Sequence, residues 1–207
     1  MKMVNYPNGK AHTSTNAPAS KHGHLSAEER KLSAANRGMS LEEDINQTNQ
    51  HYLDIDRANI HKKPTPIQIV KVDYPRRSAA KIVEAYFKTP STTDYNGVYK
   101  GRAIDFEAKE CGINTAFPFS SIHPHQVKHL KSVIRHGAIA FVIVRFTGRN
   151  ETYYVPAQKI IDLYEKMERK SIPYPWFQEN GIIIPFNLIK PVDYLTVIDS
   201  LFFTSED

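Results

Sequence analysis

Apolar positions are scarce in the first 35 residues after Tyr6, then recur with changing period along the rest of the chain. The leading stretch is rich in Ser, Asn, Ala, His and Lys, which bury too little surface to offset chain entropy, so residues 1–35 are expected to form a flexible, solvated arm. In "NRGMSLEEDINQTNQHYLD", Met39, Leu41, Ile45, Thr48, Asn49 and Tyr52 recur at roughly helical spacing, and Ser40 with Glu43 makes the capping-box pattern that opens a helix. Two strand-like runs, Ile67 to Val72 and Val83 to Phe87, then flank the basic, proline-containing "DYPRRSAAK". An extended arm with a basic tip and an ordinary surface loop fit this stretch equally.

The next runs predict a strand from Asp94 to Tyr99 and another from Arg102 to Glu110, turned at Lys100-Gly101, with Asn96-Gly97 as a rival turn. In "SSIHPHQVKHLKSVIRHG", Val127, Leu130, Val133 and Ile134 share one side and a glycine follows, as at the end of a helix. "AIAFVIVRF" is a continuous apolar strand, expected to be covered on both faces, with "ETYYVPA" as its neighbour. "AQKIIDLYEKMER" reads as an amphipathic helix, and "PVDYLTVIDSLFF" as a C-terminal helix with proline in its first turn. A helix, several strands and further helices make an α/β or α+β layer, with no internal repeat.

Composition narrows the setting. The 207 residues suffice for one domain with a core plus projecting sequence, and 41% of them are hydrophobic. A formal charge of +5 favours an acidic partner such as nucleic acid without identifying one. The single cysteine, Cys111, excludes an internal disulfide and a multi-thiolate metal site and fits a reducing compartment, so a cytoplasmic protein is expected. Without a signal-peptide core or a long apolar run, neither secretion nor membrane insertion is expected.

The chemistry gathers in "DYNGVYKGRAIDFEAK". On a strand, Asp105, Glu107 and Lys109 share one face while Ile104, Phe106 and Ala108 share the other. Carboxylates about 7 Å apart repel by about 2 kcal/mol at an effective dielectric of 20, and a divalent cation removes that repulsion. Asp94, on the preceding strand, would complete an oxygen-rich site suited to Mg²⁺ or Mn²⁺. Lys109 could then orient or deprotonate a water, or offset charge on a phosphoryl group. An exposed hairpin face, with Lys109 paired to Glu107 and no catalysis, fits the triplet alone as well. His123, His125 and His129 raise a zinc reading, but no acid or cysteine completes that set.

The stretches "NRGMSLEEDINQTN", "IHKKPTPIQIVKVDYPRRSAAKIVEAYFK", "STTDYNGVYKGRAIDFEAKE", "FPFSSIHPHQ" and "IKPVDYL" closely resemble the RecU-type Holliday-junction resolvases of Gram-positive bacteria. They follow the family's order over most of the chain past residue 35, and "YPNGK" near the start is also similar. The resemblance implies an α/β fold like that of type II restriction endonucleases, a central mixed β-sheet flanked by helices. It implies a single nuclease domain over residues 36–207, with a β-stalk projecting at about 62–90.

It implies, further, a homodimer that cuts four-way DNA junctions with Mg²⁺ or Mn²⁺ during recombination and repair, and contacts with the strand-exchange recombinase and the branch-migration helicase. Asp94, Asp105, Glu107 and Lys109 fall on the catalytic motif, with Asp94, Asp105 and Glu107 as metal ligands and Gln126 beside them. Gln126 suits a helix terminus equally, and Glu43 is a further candidate that the capping box explains as well. Arg37, Thr92 and Thr93 are additional candidates. On the stalk, Lys62, Lys63, Arg76, Arg77 and Lys81 would meet phosphates, while Tyr74 and Phe87 would meet exposed bases or pack within the arm. A restriction-type endonuclease on duplex DNA and a junction-binding modulator of the recombinase are the rival readings.

Overall fold

The computed structural model describes residues 40–88, 91–166 and 170–203; the predicted arm and Arg37 lie outside them. Helix α1 (Leu41–Asp54) starts at the predicted capping box: the Ser40 hydroxyl accepts from Glu43 N at 3.2 Å, and Glu43 Oε2 accepts from Ser40 N at 2.8 Å. Leu41, Ile45, Thr48, Asn49 and Tyr52 form its buried face, at the predicted spacing.

The strands are β1 (Asn59–Lys62), β2 (Ile67–Asp73), β3 (Lys81–Phe87), β4 (Tyr95–Tyr99), β5 (Arg102–Cys111), β6 (Ala116–Pro118), β7 (Ile139–Phe146), β8 (Glu151–Pro156), β9 (Ser171–Pro173) and β10 (Ile182–Ile184). Six of them make one sheet in the order β1-β4-β5-β7-β8-β10. Within it β5 and β7 run parallel and the other neighbours antiparallel, so the sheet is mixed. Between β5 and β7 the chain passes through β6 and helix α2 (Pro124–Arg135), a connection a parallel pair needs.

Strand alternation divides the core. Ile139, Phe141 and Ile143 of β7 pack with α1 and the C-terminal helix α5 (Tyr194–Phe202). Val142, Val144 and Phe146 pack with α2, α3 (Ala157–Lys166) and α4 (Tyr174–Asn180). The apolar side of β5 joins the first layer, with Phe106 stacked on Phe141 at 4.6 Å and on Tyr95 at 4.8 Å. Its acidic side is thereby turned toward the layer that holds α2.

Lys100 and Gly101 have φ of 46° and 72°, so the predicted two-residue turn joins β4 to β5. The rival Asn96-Gly97 lies inside β4, where glycine serves a different purpose. A Cβ at Gly97 would stand 2.1 Å from Asn59 O of the adjacent β1. The two apolar runs around "DYPRRSAAK" pair as a separate antiparallel ribbon, β2 with β3, exposed along nearly its whole length and turned through a short 3₁₀ segment, Arg77–Ala79.

Several boundaries differ from expectation. The C-terminal helix starts at Tyr194 with Asp193 as N-cap, leaving Pro191 ahead of it, because Val192 enters the core and its N–H is taken by Thr48 Oγ1 at 3.1 Å. Ser120 and Ser121 sit in a 3₁₀ turn, and α2 begins at Pro124 instead. The helix predicted from "AQKIIDLYEKMER" is described as far as Lys166; residues 167–169 lie outside the described residues. Among the described residues no helix is long and apolar enough to cross a membrane.

Candidate active site

Asp105 and Glu107 are nearly inaccessible, at 6% and 0% exposure, which contradicts the exposure of the hairpin reading, while the Lys109–Glu107 pair that it expected is present. A carboxylate out of water needs partners, and each has them. Thr93 Oγ1 bonds Asp105 Oδ1, while Oδ2 meets Lys63 Nζ at 3.0 Å and His129 Nε2 at 3.1 Å. Glu107 Oε1 meets Lys109 Nζ at 2.7 Å and accepts from Gln126 Nε2 at 2.6 Å, and its Oε2 accepts from Asp94 N at 3.2 Å.

Four parts of the chain supply these groups, one of them the segment after β1 that carries Lys63. Strand β5 presents Asp105, Glu107 and Lys109 by alternation. The segment entering β4 brings Thr93 and Asp94 alongside, since Asn96 pairs with Asp105 and Tyr95 with Phe106. The first turn of α2 brings Gln126, whose oxygen accepts from His123 N at 2.9 Å while its amide reaches Glu107. Gln126 thus fills both roles read for it, terminating the helix and touching the site. Asp94, Glu107, Lys109, His123, His125 and Gln126 line one open cleft of about 450 Å³.

Burial pushes the Glu107 carboxyl up to about 8, reinforced by the neighbouring Asp94 carboxyl and opposed by Lys109. A divalent cation bound beside it would offset that burial, favour the ionised carboxylate and release the proton to solvent. The donor chemistry, carboxylate oxygen without thiolate or a converging imidazole set, fits a hard divalent ion. Among the described residues no three His, Cys, Asp or Glu side chains are gathered into a ready-made cage, and Asp105 is turned to Lys63 and His129. The rings of His123 and His125 stack at 5.5 Å, and His129 goes to Asp105.

The remaining candidates spread outward. Glu43 is engaged in its capping box, and Thr92 donates to Thr93 O at 3.3 Å. The Asp94 segment shares a second recess with Glu42 rather than with Glu43. Lys62 pairs with Glu42 at 2.5 Å, Arg76 and Lys81 are exposed on the ribbon, and the backbone of Arg77 opens the ribbon's 3₁₀ turn. Tyr74 and Phe87 are exposed at 69% and 82%. Lys63 is drawn into the site, a placement that its neighbours in sequence do not announce. His129, read in the sequence only as part of a zinc set, instead bonds Asp105; its position three residues after Gln126 on one helix face was the available signal for that placement.

The model of the family described as Recombination protein U, RecU, matches residues 36–200. The chain belongs to the RecU family. It is 48% identical over 203 residues to the Holliday junction resolvase RecU of Oceanobacillus iheyensis, covering 97% of this chain and 100% of that protein. The proteins of the same name from Bacillus cytotoxicus and Geobacillus kaustophilus are each 48% identical over 204 residues, covering 97% of this chain and 99% and 98% of theirs. RecU membership spans the whole site, from α1 through β5 to α2.

Proposed function

We propose that this RecU chain is a structure-specific endonuclease that resolves four-way Holliday junctions by paired nicks in recombination and repair. The single observation that carries the chemistry is the burial of Asp105 and Glu107 on a central strand of a RecU chain, with Asp94, Lys109 and Gln126 around Glu107. Two acids are costly to bury without a task that rewards it.

Asp94, Asp105 and Glu107 are the groups that hold a divalent ion, Mg²⁺ or Mn²⁺, which when bound supplies Lewis-acid polarisation of the phosphate and a more acidic water. Lys109, 2.7 Å from Glu107, stands where an ammonium orients the attacking water or meets charge growing on the phosphoryl oxygens. Gln126 fixes the Glu107 carboxyl by hydrogen bonding and so sets the angle of its lone pairs.

Residues 36–207 act as one nuclease domain with the fold of restriction endonucleases, and the β2–β3 ribbon is its stalk. Lys62, Arg76, Arg77 and Lys81 serve phosphates, and the exposed Tyr74 and Phe87 serve unstacked bases at the open centre of the junction. Two copies related by a two-fold axis match the symmetry of the junction and place one site on each of two opposed strands. Shape and dimer spacing supply selectivity, and phosphate contacts supply salt-sensitive affinity. Recombinase and branch-migration helicase are its partners in the cytoplasm, at the nucleoid.

The test is alanine at Asp94 or at Glu107. Cleavage of a labelled junction should fall at least ~10²-fold while gel-shift affinity for the junction is kept. Retained cleavage in either variant, or absence of cutting by the parent, contradicts the reading.

A further inference from the structure

Lys63 ties the ribbon to the acids. It is the first residue after β1 and lies four positions before β2. Its backbone N–H donates to Asp94 O at 2.7 Å, and its ammonium donates to Thr93 Oγ1 at 2.9 Å and Asp105 Oδ2 at 3.0 Å. The returning leg of the ribbon, β3, ends at Phe87, seven residues before Asp94, and Lys88 N donates to Pro66 O at 3.0 Å where the legs meet. Both legs therefore converge at the site: the outgoing one through Lys63, the returning one through Thr93 and Asp94.

The charges have a consequence. Asp105 Oδ1 is bonded to Thr93, and its Oδ2 is shared between Lys63 and His129. Lys63 is largely withdrawn from solvent, with 19% of its side chain exposed, so it is held on the carboxylate rather than free for a phosphate. An ammonium and a divalent cation repel, and a carboxylate oxygen occupied by one is a poor ligand for the other.

We propose that Lys63 is a positioning residue that holds Asp105 in the DNA-free protein and releases it to the metal when the ribbon engages a junction. The inference rests on the assignment of Asp94, Asp105 and Glu107 as metal-binding carboxylates. With the Lys63 backbone held on Asp94 O, a junction phosphate at the ribbon root draws its ammonium off Asp105 by side-chain rotation, so DNA on the ribbon and metal at the site favour one arrangement and strengthen each other's binding. The reward is restraint: a nuclease assembled only on its own substrate.

The experiment is calorimetric titration of the full chain with Mn²⁺ alone, with and without a junction whose cleavable phosphates are replaced by methylphosphonates. The parent should bind Mn²⁺ roughly 5- to 10-fold more tightly with the junction than without it. Lys63→Met, nearly isosteric and uncharged, should show the tighter constant in both conditions, and Lys63→Arg should keep the parent's weak DNA-free binding. Equal or weaker Mn²⁺ binding by Lys63→Met without DNA overturns the proposal, as does a variant that loses only junction affinity and one phosphate contact from the salt dependence. If the parent binds no Mn²⁺ with the junction present, the metal-site assignment itself fails, and the proposal with it. A readout that needs no variant to fold is the ¹⁵N resonance of the Lys63 ammonium in the parent. It should move as Mg²⁺ and junction are added together, and an unmoved resonance at saturation contradicts the proposal.

Discussion

The Gln126 amide donates to Glu107 Oε1 at 2.6 Å across the interval between α2 and β5, joining a helix terminus to a buried acid. Its replacement by alanine leaves that oxygen to Lys109 alone and also releases His123 N, so Gln126→Ala should destabilise the fold by about 1–3 kcal/mol, read by urea denaturation. Junction cleavage should fall by more than the loss of folded protein explains, because Glu107 loses its orientation. Unchanged turnover of the folded fraction would leave Gln126 a helix-capping residue alone.

Asp44 and Arg145 form a buried pair at 2.6 Å, distant in sequence from the acids of the site. Burial raises the Asp44 carboxyl, with Arg145 opposing, and Asp44 Oδ1 has no partner among the described residues. Arg145→Met removes the compensating cation and should cost about 3–5 kcal/mol in chemical denaturation. The double variant Asp44→Leu/Arg145→Met should recover most of that loss, and a double variant as unstable as the single one would show that the pair is not what Arg145 supports.

Gly97 faces β1 so closely that Gly97→Ala has to push Asn59 and Ile60 aside. Overpacking at this strand crossing should cost about 3 kcal/mol and lower the melting temperature. Since β1 leads to Lys63 and β4 follows Asp94, cleavage should fall with it. Gly101→Ala, at a turn with open space around it but φ of 72°, should cost about 1 kcal/mol and leave turnover of the folded protein unchanged.

Acid stability should depend on Asp193. Burial raises its carboxyl, but hydrogen bonds from Lys190, Tyr52 and Thr196 outweigh that and hold it below the ordinary range. A carboxyl lowered by folding stabilises the native state above its unfolded pKa of about 4, and that contribution is lost as pH falls through the lower folded value. Unfolding free energy measured from pH 5 down to pH 2 should therefore fall less steeply in Asp193→Asn than in the parent. Parallel curves would contradict the assignment.

Much of this was legible where the cause is local. The alternation of Ile104 and Phe106 with Asp105 and Glu107 follows from the pleat alone, and Ser40 with Glu43 made the first helix start legible. The two β-branched runs around "DYPRRSAAK" suited an extended arm and a surface loop equally, and it is the pairing of β2 with β3 that distinguishes them. Burial of the acids was not legible, because it is α2, joined to β5 by a long crossover, that covers them. Lys63 read as one more basic residue on an arm, since its partner Asp105 lies 42 positions away. The short strands β1, β6, β9 and β10 and helix α4 escaped for a related reason: elements of three to seven residues show too few repeats of any period and take their form from the layers they join.

The central claim is that the buried acids cut branched DNA. The direct measurement incubates the protein with a labelled immobile four-way junction and a linear duplex of matching sequence, in Mg²⁺, Mn²⁺ or chelator, and maps the products on a sequencing gel. Symmetric nicks on two opposed strands, dependent on metal and confined to the junction, are the predicted result. Equal cutting of the linear duplex, or cutting that survives the chelator, would contradict the account.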